Sequence, residues 1–239
     1  MSSDRHVFRF FVDAVGGSGI VVELDQFDER HARVLLRGHA ADPVEVVDRD
    51  GAIWHATFDG PSARLVLGEL VDTVVETSIT LFAVAQVGGR FDDLVDGATQ
   101  AGVTQIVPVV RRTKDRTRID ARHERLMRIA STAAKQSKRA GVPVVLRSIG
   151  LEELRAEAAG IVVDAAAELL LDEVVRDVAA GGGEVRLLVG GSDGLPDGLA
   201  GELAAAGWRR GRLGPSILRA ELAAAVAVAV ASMHASARE

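Results

Sequence analysis

The chain has 239 residues, of which 48% are hydrophobic, 26% charged and 4% aromatic, with no tyrosine and no cysteine. This composition suits one large folded domain or two modest ones, and it excludes disulfides, thiolate metal sites and thiol nucleophiles. The net charge of −6 is unevenly spread, because residues 111–139 hold eleven Lys or Arg against three acids.

Residues 6–12 form an apolar and aromatic run that predicts a strand, broken by Gly16-Gly17-Ser18-Gly19 before a second run at 20–24. Further strands are predicted at 44–47, 53–58 and 65–70, separated by Asp48-Arg49-Asp50-Gly51 and Asp59-Gly60-Pro61. Short β-rich runs with closely spaced Gly and Asp turns predict a small barrel or sandwich. The composition shifts between 70 and 77, which places a β domain at 1–73 and a second domain at 74–239.

Beyond that boundary the rhythm alternates. In order come a strand at 79–85, a helix at 91–101 ended by Gly102, a strand at 105–110 and a long helix at 120–139. Asp120 is the predicted cap of the long helix, and Gly141-Val142-Pro143 its stop. A helix at 151–158, a strand at 160–163, a helix at 169–179 and a strand at 185–189 follow. Helices at 197–206 and from 216 onward complete the chain. Alternating strands and helices imply an α/β fold with a parallel sheet covered on both faces.

The charged segment carries +8, while the rest of the chain carries −14. Such a patch on an acidic molecule turns one face toward a polyanion. On the long helix, Leu126, Ile129, Ala130, Ala133 and Ser137 share one arc, while Arg125, Arg128, Lys135, Lys138 and Arg139 gather opposite. Acids at i,i+4 spacing are nearly missing from this segment, which favours phosphate binding over a solvated salt-bridge lattice. Arg111, Arg112 and Lys114 extend the set of RNA-binding candidates.

Other chemistries find no motif. There is no Gly-x-Gly-x-x-Gly, no phosphate-binding P-loop, no nucleophile elbow and no clustered histidines, so no metal is expected. His31 and His55 are expected as β-domain residues, and Gly17-Ser18-Gly19 as a hairpin turn. The opening Met1-Ser2-Ser3-Asp4-Arg5-His6 has no long apolar stretch behind it. The apolar run at 223–231 falls short of the about 20 residues that a membrane span requires. A soluble, cytoplasmic protein is therefore expected.

Five stretches, in order along nearly the whole chain, resemble the RsmE family of ribosomal RNA uridine methyltransferases. They are Arg9-Phe10-Phe11-Val12, His31-Ala32-Arg33-Val34-Leu35-Leu36-Arg37 and Ala98-Thr99-Gln100-Ala101-Gly102-Val103-Thr104-Gln105-Ile106-Val107-Pro108. Ala133-Ala134-Lys135-Gln136-Ser137-Lys138-Arg139 with Val142-Pro143, and Leu213-Gly214-Pro215-Ser216-Ile217-Leu218-Arg219-Ala220-Glu221, complete the set.

The resemblance implies a PUA-like β-barrel that binds RNA, with Arg9 among its contacts, followed by a SPOUT domain with a C-terminal trefoil knot. It further implies a homodimer and the cofactor S-adenosylmethionine. The implied reaction is methylation of a uridine N3 in 16S RNA of the small ribosomal subunit. The cofactor loop would be Val189, Gly190, Gly191, Ser192, Asp193 and Gly194, facing Leu213, Gly214, Ile217 and Leu218. This chain departs from the family's Ile-Gly-Pro-Glu-Gly-Gly at that loop. A second reading is thereby left open, an RNA- or ribosome-binding relative without the chemistry.

Uridine N3 must lose a proton before it attacks a sulfonium methyl, so the site has to stabilise charge on the uracil oxygens. Arg219 is the candidate for that electrostatic or phosphate-binding role, and Glu221 would orient Arg219 or act as base; a local ion pair between them is the structural alternative. Gly190 and Gly191 let backbone approach a ligand closely. Asp193 would contact the cofactor's ribose or ammonium group, or cap the next helix.

Overall fold

The computed structural model describes residues 7–38, 44–60, 64–85, 89–182 and 184–235. His6 and Pro61, placed in a predicted strand and a predicted turn, lie outside the described residues. The chain divides into two compact units, Met1–Val75 with Ser137–Gly141, and Glu76–Gln136 with Val142–Glu239. The short segment 137–141 thus joins the first unit, although its sequence position lies deep in the second.

The first unit contains β1 (Phe8–Phe11), β2 (Val21–Val22), α1 (Gln26–Gly38), β3 (Val44–Val47), β4 (Ala52–Phe58) and β5 (Leu65–Thr73). Its five strands run in the order β1-β3-β4-β5-β2, parallel between β1 and β3 and antiparallel elsewhere, and curl into a half-barrel. Phe10, Val44, Val46, Leu65 and Leu67 fill its core, from strand positions whose side chains alternate across the sheet. The expectation of strands alone is corrected here by α1. That helix begins where the Asp25 carboxylate accepts the Asp28 N–H at 2.7 Å, and Arg33 pairs with Glu29 one turn away.

The second unit contains β6 (Ile79–Val84), α2 (Arg90–Ala101), β7 (Gln105–Val110), α3 (Arg116–Asp120), α4 (His123–Gln136), β8 (Val144–Val145) and β9 (Ile149–Gly150). It continues through α5 (Leu151–Ala156), β10 (Ile161–Val163), α6 (Leu171–Ala180), β11 (Val185–Val189), α7 (Leu199–Ala205), β12 (Arg209–Gly211) and α8 (Ala220–Ala235). The sheet runs β12-β10-β11-β6-β7-β8 with every pairing parallel, and β9 also pairs with β7.

Both faces of this sheet are covered, which explains its unbroken apolar strands. Ile79, Leu81 and Ala83 of β6 join a core with α2, α4, α6 and α8, whereas Phe82 joins Val107, Leu188, Leu199, Leu203 and Trp208 on the other face. Gly102 ends α2 at φ +113, a left-handed conformation that glycine adopts without a Cβ penalty. Among the described residues, no helix is long and apolar enough to cross a membrane.

The long basic helix is corrected in three ways. It is α4, which starts at His123 rather than Asp120, with a separate short helix α3 before it, and it ends at Gln136 rather than Arg139. Asp120 caps neither: it is the last residue of α3, and its carboxylate accepts the Ser148 N–H at 2.8 Å. The predicted apolar arc does pack inward, with Leu126, Ala130 and Ala133 buried. The last helix starts at Ala220 rather than 216, which leaves 213–219 as irregular chain.

Candidate active site

Three neighbouring parallel strands, β12, β10 and β11, end at the mouth of one cleft of about 450 Å³. Carboxyl ends of parallel strands are where open α/β sheets hold ligands, since the loops there diverge and leave a crevice. From β11 come Val189, Gly190, Gly191 and Gly194, and from the segment after β12 come Leu213, Gly214, Ile217 and Leu218. These eight residues, widely separated in sequence, line the same space.

Glycine makes the loop possible. Gly191 and Gly194 exchange hydrogen bonds, each N–H reaching the other's carbonyl oxygen at 3.0 Å. A Cβ at Gly190 would lie 2.7 Å from the carbonyl carbon of Gly194 and 2.9 Å from the Leu195 nitrogen, too close for any side chain without movement.

Sequence reasoning missed the rest of the lining. Val163 and Asp164 enter from the end of β10, Arg210 from β12, and Asp197 from the loop before α7. Arg210 donates to the Asp164 carboxylate at 2.6 Å. The available signal was the strand end at 163, because a ligand crevice collects the residues that follow parallel strands. The strand β12 itself, Arg209-Arg210-Gly211, is too charged and short to announce itself. The cleft wall is mixed: aliphatic side chains, exposed backbone, two carboxylates and one cation. Ile217, at its lip, is 89% exposed.

Ser192 and Asp193 line a different space. They face a second cleft of about 810 Å³ with Val84, Ala85, Arg90, Val110, Arg111 and Arg112. Gly191 borders both clefts. Arg111 donates to the Gly194 carbonyl oxygen, and Arg112 pairs with Asp115. Asp193 does not cap α7, whose N-cap is Gly198.

Arg219 and Glu221 line neither cleft. Arg219 is an exposed residue immediately before α8, and Glu221 is half-buried in the first turn of that helix. No ion pair joins the two among the described residues. Their chain neighbours Leu218 and Ala220 do line the first cleft, so both stand at its margin.

The cations proposed for RNA divide by surroundings. Arg125 and Arg122 converge on Asp92 of α2, so one acid from another helix answers two of the segment's cations. Arg128 donates to the Glu124 carbonyl within its own helix. Lys114 is exposed, and Lys135 is half-buried on α4. In the first unit, the Arg9 side chain is only 8% exposed; it is held by Glu45 and by the carbonyls of Lys138 and Arg139. Arg139 is 6% exposed. Burial makes Arg9 and Arg139 parts of the unit's interior instead of surface contacts, while Lys138 stands beside them at φ +54. Among the described residues, no group of His, Asp and Glu is arranged to hold a metal ion.

Comparison with known proteins is consistent along the chain. Residues 75–232 match the family model for the RNA methyltransferase domain. The ribosomal RNA small subunit methyltransferase E of Mycobacterium bovis is 30% identical over 235 residues, covering 92% of this chain and 88% of that protein. The counterpart from Mycobacterium tuberculosis matches equally. The crystal structure of ribosomal RNA small subunit methyltransferase E from Neisseria gonorrhoeae, bound to S-adenosyl methionine, superposes with a TM-score of 0.79 at 25% identity. That alignment covers 94% of this chain and 96% of the other. A Legionella pneumophila protein solved with the same cofactor gives 0.79 at 20% identity, covering 95% and 98%; at that identity it supports the fold alone.

Proposed function

We propose, since this chain belongs to the RsmE family of ribosomal RNA methyltransferases, that it methylates a uridine N3 in small-subunit ribosomal RNA with S-adenosylmethionine as donor. The observation that carries this reading is the glycine-built cleft where β11 and the segment after β12 meet. Its volume of about 450 Å³ falls within the range of small-molecule sites. Val189, Gly190, Gly191, Gly194, Leu213, Gly214, Ile217 and Leu218 would hold the cofactor, largely through backbone and aliphatic contacts. That donor set suits an adenine, which needs flat apolar cover and a few backbone hydrogen bonds. Asp197 suits the positive sulfonium or ammonium group, whereas Asp164 is already paired with Arg210. Ile217, an apolar side chain left in water, would cover the base.

When bound, S-adenosylmethionine supplies an electrophilic methyl group on sulfur. The chain's own work is to exclude water, hold the uracil edge toward that methyl group and oppose charge building on its oxygens. Arg219, at the cleft margin, anchors an RNA phosphate, and Glu221 orients it or serves as an alternative base. Lys114, Arg125, Arg128, Lys135 and Lys138 draw the RNA in, and the first unit acts as an RNA-binding module. A knotted C-terminal path, a homodimer and a cytoplasmic location complete the proposal, as the family implies.

The experiment is direct. The full chain is titrated with S-adenosylmethionine in a calorimeter and then given small-subunit particles that lack the methyl mark. Saturable heat and methyl incorporation at a uridine are expected. Binding without transfer to any uridine would refute the assigned reaction.

A further inference from the structure

We infer that the second cleft receives the target nucleotide and that the Asp193 carboxylate takes the proton from its uracil N3; this rests on the methyl-transfer reading above. The second cleft opens at the carboxyl ends of β6 and β7, the strands next to β11 in the sheet. It is therefore the adjoining crevice to the one proposed for the cofactor. Gly191 borders both spaces, so at that point the partition is backbone without a side chain. Reacting atoms must come within about 3.5 Å of one another, so a methyl donor in one cleft and an acceptor atom in the other would meet at the junction beside Gly191, where no side chain intervenes.

The lining of the second cleft is mixed in charge, because Asp115 sits among its arginines and pairs with Arg112. Arg90 and Arg111 supply cations suited to phosphate, while Ser192 and Asp193 present a hydroxyl and a carboxylate from the loop after β11. Arg90 makes no ion pair among the described residues. The Ser192 hydroxyl lies 3.2 Å from Asp193 Oδ1, which sets donor and acceptor side by side.

Uracil carries the complementary pattern. Its pairing edge is an N–H flanked by two carbonyl oxygens, so it calls for an acceptor beside a donor. Asp193 supplies the acceptor for N3–H, and the Ser192 hydroxyl, turned outward, donates to a neighbouring carbonyl. Cytosine has a lone pair at N3, which would face the carboxylate without a proton between them. The same two side chains that activate uracil therefore reject cytosine.

In the proton step, the N3–H bond breaks and the proton passes to a carboxylate oxygen of Asp193. The electron pair stays on N3 and spreads over both carbonyl oxygens, where Ser192 and the cleft arginines oppose the charge. That pair then forms the bond to the methyl carbon as the carbon–sulfur bond breaks and its electrons remain on sulfur. Asp193 finally releases its proton to water.

The test uses the full chain and its Asp193→Asn, Ser192→Ala and Glu221→Gln variants. Methyl transfer to unmethylated small-subunit particles is followed between roughly pH 6 and 10, beside cofactor binding. Asp193→Asn is expected to slow transfer about 100-fold at neutral pH and to recover as the imide ionises by itself. Its cofactor affinity should stay within about twofold of the wild type. A wild-type rate, a loss that ignores pH, or the alkaline recovery appearing in Glu221→Gln instead would overturn the assignment.

A second readout is independent of methyl transfer. Uridine and cytidine 5′-monophosphates are titrated into the wild type and Asp193→Asn. The wild type should prefer the uridine nucleotide, and the variant should lose that preference. Equal affinities in the wild type would overturn the nucleotide site. Selective binding by a wild type that transfers no methyl group would support this site while refuting the methyl-transfer reading.

Discussion

The Arg111 guanidinium donates to the Gly194 carbonyl oxygen, tying the residue after β7 to the turn after β11 across 83 positions of sequence. That turn walls both clefts, so Arg111 fixes a partition it does not itself form. Arg111→Ala removes one charged hydrogen bond, a contribution of about 1.5–3 kcal/mol in general and near the lower end for an exposed side chain. Calorimetry should show cofactor affinity reduced about tenfold. The thermal midpoint should move little, because neither core touches this contact.

Gly190 tests the same turn from its backbone. A methyl group there would press on Gly194 and Leu195, both backbone neighbours that cannot rotate away. Gly190→Ala should abolish measurable cofactor binding while the sheet remains folded. Circular dichroism beside calorimetry checks this; undiminished binding would show that the turn tolerates a shift.

The cations separate by salt dependence. Charge reversal of Lys114 and Arg128 should weaken RNA binding and flatten its dependence on salt by about one unit of slope per lost phosphate contact. Arg9→Met should behave otherwise. It would strand Glu45, whose side chain is 13% exposed, and cost about 3–5 kcal/mol of stability to the first unit. Filter binding across a salt series and thermal unfolding distinguish the two outcomes.

Asp48 gives the first unit an acid sensitivity. Burial disfavours its charge, yet N–H donors from Trp54, Gly16, Ala52 and Asp50 overcome that and hold its carboxyl below the usual range. A depressed folded pKa means that the contribution is fully present above the ordinary value of 3.8 and is lost as pH falls through the folded value. Asp48→Asn should destabilise the unit by about 2–3 kcal/mol near neutrality. The gap between variant and wild type should close in strong acid, as unfolding curves at several pH values will show.

Much of the second unit was legible because parallel strands buried on both faces write themselves as apolar runs, as in Val185–Val189. Gly102 likewise marked the end of α2 openly. The helix α1 was less visible: its signals, Asp25 before Asp28 and Glu29 before Arg33, are short-range pairs inside a mixed segment. Arg9 misled for a different reason. Its burial depends on Glu45 and on carbonyls 129 and 130 positions away, which no local pattern encodes. The loop after β11 showed its glycines in sequence, but not that Ser192 and Asp193 turn away from Gly190 into another cleft. Asp164 was missed because its role comes from the order of strands, with β10 lying between β11 and β12.

The most direct measurement is calorimetric titration of S-adenosylmethionine into the full wild-type chain. Saturable binding at one site per chain, lost in Gly190→Ala, is the predicted result. An absence of heat at any attainable cofactor concentration, with the protein shown to be folded, would contradict the central claim that these glycine turns grip a methyl donor.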